Sequence, residues 1–186
     1  MYFVRHAHSN YSSDELGRPL SEKGFADASR IKELLKDQDI DYVISSPYKR
    51  AIQTVEGIAQ FINQDVQIIN GFKERKLSEG SVKDFSYAIS KVWENQDYSL
   101  EGGESNRIAQ QRGIEATFHV LDNYQDKNIV IGTHGNLMVL IMNYFDKQFD
   151  FEFWKRLEMP DIYKMTFEGR KLVNVTRLWK GKGYSN

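Results

Sequence analysis

Short apolar runs alternate with longer stretches of helical spacing along this chain. Tyr2-Phe3-Val4 is the first run, and it fits a buried strand. His8 to Pro19 is polar, rich in Ser, Asn, Asp and Gly, and reads as a loop. Leu20-Ser21 then marks a helix entry, with Ser21 as the cap and Leu20 bracing the turn. Phe25, Ala28, Ile31, Leu34 and Leu35 fall on one face of that helix, and Asp37 to Asp41 ends it. Tyr42-Val43-Ile44-Ser45 is a second strand, closed by Ser46-Pro47. The helix from Tyr48 to Ile62 carries an inner stripe of Ala51, Ile52, Val55, Ile58, Ala59 and Ile62. Val66 to Ile69 is a third short strand.

The middle of the chain has no clean period. Gly71 to Glu104 holds Gly80, Gly102 and Gly103, and a helix is predicted near Val82–Trp93. This stretch reads as an excursion, a cap or lid over the sheet, inside a single domain of residues 1–186. Ser105 caps a long helix to Tyr124, with Ile108, Ile114, Phe118 and Leu121 on its inner side. Ile129–Gly132 is a strand and Asn136–Phe145 a helix. Ile162–Phe167 and Leu172–Leu178 flank Glu168-Gly169-Arg170-Lys171, a hairpin signal. The fold class predicted is α/β: a three-layer α/β/α sandwich whose sheet is mostly parallel, with an antiparallel edge and a C-terminal hairpin.

Composition removes several classes of function. The 186 residues carry a formal net charge of −1, so no global field points to nucleic acid or an acidic membrane surface. No cysteine is present, which excludes disulfides, thiol catalysis and cysteine-based metal sites. No apolar stretch approaches a membrane span, and Arg5 and His6 interrupt the only apolar run near the start, so the expected location is cytoplasmic.

Candidate chemistry gathers at predicted strand ends. Arg5-His6 follows the first strand, Ser46 to Arg50 the second, and His134 the strand at Ile129; Glu74 lies in the excursion. Ligands of open α/β sheets collect at the carboxyl ends of the strands. Two histidines there with arginines near read as a phosphate site, because imidazole can attack phosphorus and guanidinium can hold its oxygens. A His6-x-His8 metal pair is the competing reading, and it lacks a further cluster of acidic ligands. Glu74 sits among Lys73, Arg75, Lys76 and Glu79, a pattern that a solvated loop face also gives. His119 has no evident partner. Trp93, Trp154 and Trp179 read as packing or pocket rim, and Lys180 to Tyr184 as a frayed tail.

Arg5-His6-Ala7, Ser45-Ser46-Pro47-Tyr48-Lys49-Arg50-Ala51-Ile52-Gln53-Thr54, Glu74-Arg75 and Gly132-Thr133-His134-Gly135 together resemble the histidine phosphatase superfamily, the phosphoglycerate mutase-like fold, in order and spacing. The resemblance implies His6 as a nucleophile that forms a phosphohistidine. It implies Arg5, Arg50 and His134 as holders of the phosphoryl oxygens, and Glu74 as general acid and base. Amides near Gly135 and Asn136 would add donors. The pattern departs in the first loop: Ala7 stands where glycine is common, His8 where many relatives carry glutamate, and Ser12 where an asparagine usually helps hold phosphate. Asn10 and Ser9 are the nearby polar substitutes. Glu104, in Gly-Gly-Glu-Ser, resembles a recurrent family element. The implied activity is a metal-independent phosphomonoester hydrolase with no cofactor, acting on a small-molecule phosphate monoester. Phosphoglycerate mutase-type transfer and a non-catalytic phosphate or phosphoprotein-binding module are the alternatives. The chain is short for a glycolytic mutase, and every group the chemistry needs is present.

Overall fold

The computed structural model describes residues 1–181. Six strands form one sheet: β1 (Tyr2–Arg5), β2 (Tyr42–Ser45), β3 (Gln67–Ile68), β4 (Ile129–Thr133), β5 (Asp161–Glu168) and β6 (Lys171–Arg177), in the order β3-β2-β4-β1-β5-β6. β3, β2, β4 and β1 run parallel, while β5 is antiparallel to β1 and β6 to β5. The mostly parallel sheet, its antiparallel edge and the terminal hairpin are therefore all present. The helices are α1 (Glu22–Leu35), α2 (Lys49–Phe61), α3 (Phe85–Glu94), α4 (Asn106–Asn123), α5 (Gly135–Phe145) and α6 (Phe151–Lys155), with a 3-10 turn at Asn70–Phe72.

Side chains alternate across the sheet with period two. Tyr2, Val4, Val43 and Val130 pack against α1 and α2, whose Ile31, Leu35, Val55 and Ile58 close that face. Phe3, Ile44, Ile129 and Ile131 face the other way, onto Ile114 and Val120 of α4 and Leu137 to Met142 of α5. The three layers follow from that division.

Ser21 caps α1 as expected, its hydroxyl accepting the Gly24 amide at 3.1 Å, and Ser105 caps α4 through the Ile108 amide at 3.2 Å. The inner faces differ from the periodic reading. Phe25 is 47% exposed, Leu34 40% and Ile108 59%. α1 buries Gly24, Asp27, Ile31 and Leu35, a stripe rotated toward smaller side chains. α4 buries Ala109, Gly113, Ala116 and Thr117 beside Ile114 and Val120. Small residues let α4 lie close on α5: a Cβ on Gly113 would stand 2.8 Å from Ile141 Cγ1. α6 was not anticipated, since five residues are too few to show a helical period. No helix among the described residues is long and apolar enough to cross a membrane. Residues 182–184 of the expected frayed tail lie outside the described residues.

Topology now fixes where chemistry sits. β4 inserts between β1 and β2, and their following helices leave on opposite faces: α1 and α2 on one, α5 on the other. A crevice opens at the carboxyl ends of these strands, where the connections part.

Candidate active site

Strand register brings the candidate residues together. Arg5 is paired with Thr133 and Ser45 with Gly132. His6, Ser46 and His134 are therefore consecutive steps off the ends of three adjacent strands. The rings of His6 and His134 lie edge to face with centroids 5.2 Å apart.

His6 is held in one tautomer. Its Nδ1 lies 2.8 Å from the carbonyl oxygen of Ala7, which can only accept, so Nδ1 carries the proton. Arg50 Nε, which can only donate, points at His6 Nε2 from 3.2 Å. Nε2 therefore presents a lone pair beside a guanidinium. Burial pushes the His6 pKa down to about 3, with the charges of Arg50, Arg5 and Arg18 adding to it against the Ala7 hydrogen bond. The ring is neutral at ordinary pH.

This depression links to stability. The unfolded chain protonates this histidine near pH 6.5, while the folded chain resists down to about pH 3, so its contribution is complete above the first value and is lost as pH falls toward the second. His134 adds to the same trend, since burial and then the neighbouring His6 and Arg50 hold it well below its ordinary value. The thermal midpoint of the native chain is expected to fall across this window more steeply than that of His6→Gln. Parallel curves in non-phosphate buffers would show that His6 titrates normally.

Arg50 is 3% exposed, although it stands in the first turn of α2. Its Nη1 donates to the Glu15 carbonyl at 2.8 Å, and its guanidinium lies over the Tyr48 ring at 4.5 Å. Arg5 Nη1 donates to the carbonyls of Leu157 and Glu158 at 3.2 and 3.0 Å. Its Nε is buried with no partner among the described residues. Gly135 makes room for it, because a Cβ there would stand 2.8 Å from Arg5 Nε.

His134 is fully buried at the residue that precedes α5, with no capping bond from its ring to the helix. Its Nε2 lies 2.8 Å from Ser46 Oγ. The Tyr48 amide donates to that same oxygen at 3.4 Å. His134 Nδ1 is buried with no partner among the described residues. The sequence placed Ser46 at a strand end without a role. Ser46→Ala is expected to lower kcat/KM about tenfold by leaving the buried His134 Nε2 without its partner, with Ser46→Thr recovering most of it. Equal activity in wild type and Ser46→Ala would remove the hydroxyl from the site's working parts.

Glu74 lies across the crevice. Its Oε1 accepts the amides of Arg75 at 2.8 Å and Leu137 at 3.0 Å, and its Oε2 the amide of Asn136 at 3.2 Å. The carboxylate thus occupies the N-terminal turn of α5, where free amides and the helix dipole favour an anion. The Asn136 amide, expected to face a phosphate, is given to Glu74 instead.

Arg5, His6, Arg50 and Glu74 line one cavity of about 440 Å³. The first loop contributes His8, Ser9, Tyr11, Glu15 and Arg18 to its wall. Asn10 and Ser12 are not among its lining residues; Ser12 Oγ accepts the Asp14 amide at 3.2 Å, a local turn contact. His8 turns its Nδ1 to Ser21 Oγ at 2.8 Å, so the two rings of the His6-x-His8 pair are engaged separately. No group of three or more His, Asp or Glu among the described residues is arranged to hold a metal ion. Phe85 and Ile89 of α3, with Trp154 and Met159, form an apolar rim. Trp93 is buried instead, its indole donating to Asn136 Oδ1 at 3.1 Å, and Trp179 stacks under Arg30.

Comparison with known proteins gives the family and the fold. The model of the histidine phosphatase superfamily, branch 1, matches residues 1–178. The chain belongs to that superfamily. It is 24% identical over 137 residues to an uncharacterised phosphatase, PhoE, of Bacillus subtilis, covering 71% of this chain and 69% of that one. Among solved structures, a phosphoserine phosphatase of Entamoeba histolytica in complex with phosphoserine matches with a TM-score of 0.76 and 18% identity, covering 95% of each chain. A mycobacterial glucosyl-3-phosphoglycerate phosphatase matches at 0.73 and 17% identity, over 96% of this chain and 97% of that one. YhfR of Bacillus stearothermophilus gives 0.72 and 21%, over 92% and 93%. At these identities the structures speak for the fold.

Proposed function

We propose that this member of the histidine phosphatase superfamily is a metal-independent phosphomonoester hydrolase that works through a phosphohistidine on His6. The observation that carries the reading is the tautomer of His6: a neutral ring with its lone pair on Nε2, anchored through Nδ1 to a carbonyl and flanked by the Arg50 guanidinium. Such a nitrogen is ready to attack phosphorus.

The phosphate of a monoester enters the cavity against Arg5 and Arg50, whose charges offset the negative charge spread over its oxygens. Arg5 Nε, buried and unpartnered, donates to those oxygens, and with Ser46 Oγ donating to its Nε2, His134 offers a second donor at the unpartnered Nδ1. Nε2 forms the bond to phosphorus as the ester P–O bond breaks, and Glu74 gives a proton to the departing alcohol. Water then attacks the phosphohistidine, Glu74 takes its proton, and inorganic phosphate leaves with Nε2 restored. Glu74 carries the proton into the first step and is left as the carboxylate that serves the second. On this reading the segment 71–104, which supplies Glu74 and, through Phe85 and Ile89, part of the rim, serves as the cap of the site.

Release of inorganic phosphate from a panel of monoesters tests the proposal, with p-nitrophenyl phosphate as first substrate. Turnover is expected to persist in chelator and to yield free phosphate from 3-phosphoglycerate, with no 2-phosphoglycerate formed. Conversion between the two phosphoglycerates would make the chain a mutase. Tight phosphate binding without turnover would make it a binding module.

A further inference from the structure

We infer that Arg112 and Glu104, which touch neither the cavity nor the nucleophile, form a strut that sets the position of Glu74. The inference rests on the reading of Glu74 as the acid.

Residues 73–84 form neither helix nor strand, so no ladder fixes the backbone that carries Glu74. A cross-brace from α4 takes the place of one. Arg112 Nη1 donates to the carbonyl of Gly71 at 2.8 Å and to that of Lys73 at 3.0 Å, directly before Glu74. The other edge of the same guanidinium grips Glu104, Nε to Oε1 at 3.0 Å and Nη2 to Oε2 at 2.9 Å. Glu104 passes the restraint on to the far side of Glu74. Its Oε2 accepts the Lys76 amide at 3.2 Å, and its own amide donates to the Lys76 carbonyl at 2.7 Å. Residues 71, 73 and 76 are thus tied to one ion pair that brackets Glu74.

Two further contacts seat the same turn. Thr133 Oγ1, adjacent to His134, donates to the Phe72 carbonyl at 2.9 Å. Gly71 is pressed on α4 so closely that a Cβ there would stand 2.4 Å from Ala116 Cβ. The planar fork of arginine suits this work, since one edge makes a bidentate pair with carboxylate while the far nitrogen still reaches two carbonyls. Lysine has a single nitrogen and cannot do both. Sequence reading found Glu104 by its motif but not its partner, because Arg112 lies eight residues on within an ordinary helical pattern.

The chemistry supplies a readout that a merely structural role would not move. Departure of p-nitrophenolate needs no proton, whereas departure of an aliphatic alkoxide does. A displaced acid therefore harms alkyl esters and spares aryl ones. The measurement is kcat/KM, which reports the steps up to phosphoryl transfer to His6, for glycerol 3-phosphate and p-nitrophenyl phosphate. Glu74→Gln is the reference, expected to fall by about 100-fold more on the alkyl ester than on the aryl one. Arg112→Met is expected to copy that pattern at about tenfold, and Glu104→Gln more weakly, with Arg112→Lys failing to restore the alkyl rate. Circular dichroism and thermal melts establish which variants are folded. If Glu74→Gln does not separate the two esters, the acid role itself falls. If it does, and the folded strut variants slow both esters alike or neither, the strut is overturned while the acid role stands. Failure of all three strut variants to fold would assign the pair to general stability and overturn it too.

Discussion

His6→Ala is expected to lower turnover of any phosphate monoester by about 10⁴-fold or more. No neighbour can take the place of the lost nitrogen. His134 is the other imidazole nearby, but its Nε2 is spent on Ser46 and the ring is fully buried. Arginines do not attack phosphorus, and Glu74 is engaged by three backbone amides. Phosphate affinity should survive, because Arg5 and Arg50 remain, so the loss belongs in kcat. Rapid quenching of the native chain with ³²P-labelled substrate should trap an acid-labile, base-stable phosphoryl group that His6→Ala lacks. Residual turnover within tenfold of wild type would mean that water attacks phosphorus directly and that His6 only binds.

Arg50→Ala is expected to cost about 10³-fold in kcat/KM, the scale seen when a group aimed at transferring charge is removed. Its guanidinium is both the donor to His6 Nε2 and a positive charge in a buried setting, where charge acts with little screening. Arg50→Lys should recover little, since an ammonium cannot reproduce the Nε contact, the Glu15 carbonyl contact and the stack on Tyr48 together. A second effect separates this variant from simple misfolding. Burial is the main depressor of the His6 pKa and Arg50 is the largest of the charges that add to it. The acid limb of the kcat/KM profile should therefore shift upward in Arg50→Ala, partway from about 3 toward the ordinary histidine value. An unmoved limb in an active variant would show that Arg50 does not touch the titrating group.

Much of the fold was legible because its signals are local. Ser21 and Ser105 announced their helices through capping, and Glu168 to Lys171 announced the hairpin. Helix faces were less legible. Phe25, Leu34 and Ile108 sit at helical spacing with other apolar residues yet point to water. Periodicity ranks residues by hydrophobicity, whereas the packed interface selects by distance, and α4 needed Gly113 to approach Leu137 and Ile141 of α5. In the first loop, Asn10 and Ser12 were chosen by residue type and position, but an irregular loop aims its side chains by contacts that spacing cannot reveal. Arg18 and Tyr11 reach the cavity wall instead.

By itself the sequence determined which groups are available: two imidazoles and two guanidiniums at strand ends, one carboxylate in a long excursion, and the parallel order that sends strand ends to a common edge. Those follow from local spacing and from residue chemistry, which need no partner. Only the tertiary structure decided that β4 lies between β1 and β2, which puts His134 against His6 and Ser46. It also decided which imidazole nitrogen keeps its lone pair, that Glu74 rests on the amides of α5, and that Arg112 and Glu104 brace it. The Arg50 contact to His6 Nε2 and the brace from Arg112 to residues 71 and 73 depend on atoms a few ångströms away in space and dozens of residues away in the chain, and that distance is set only when the sheet closes.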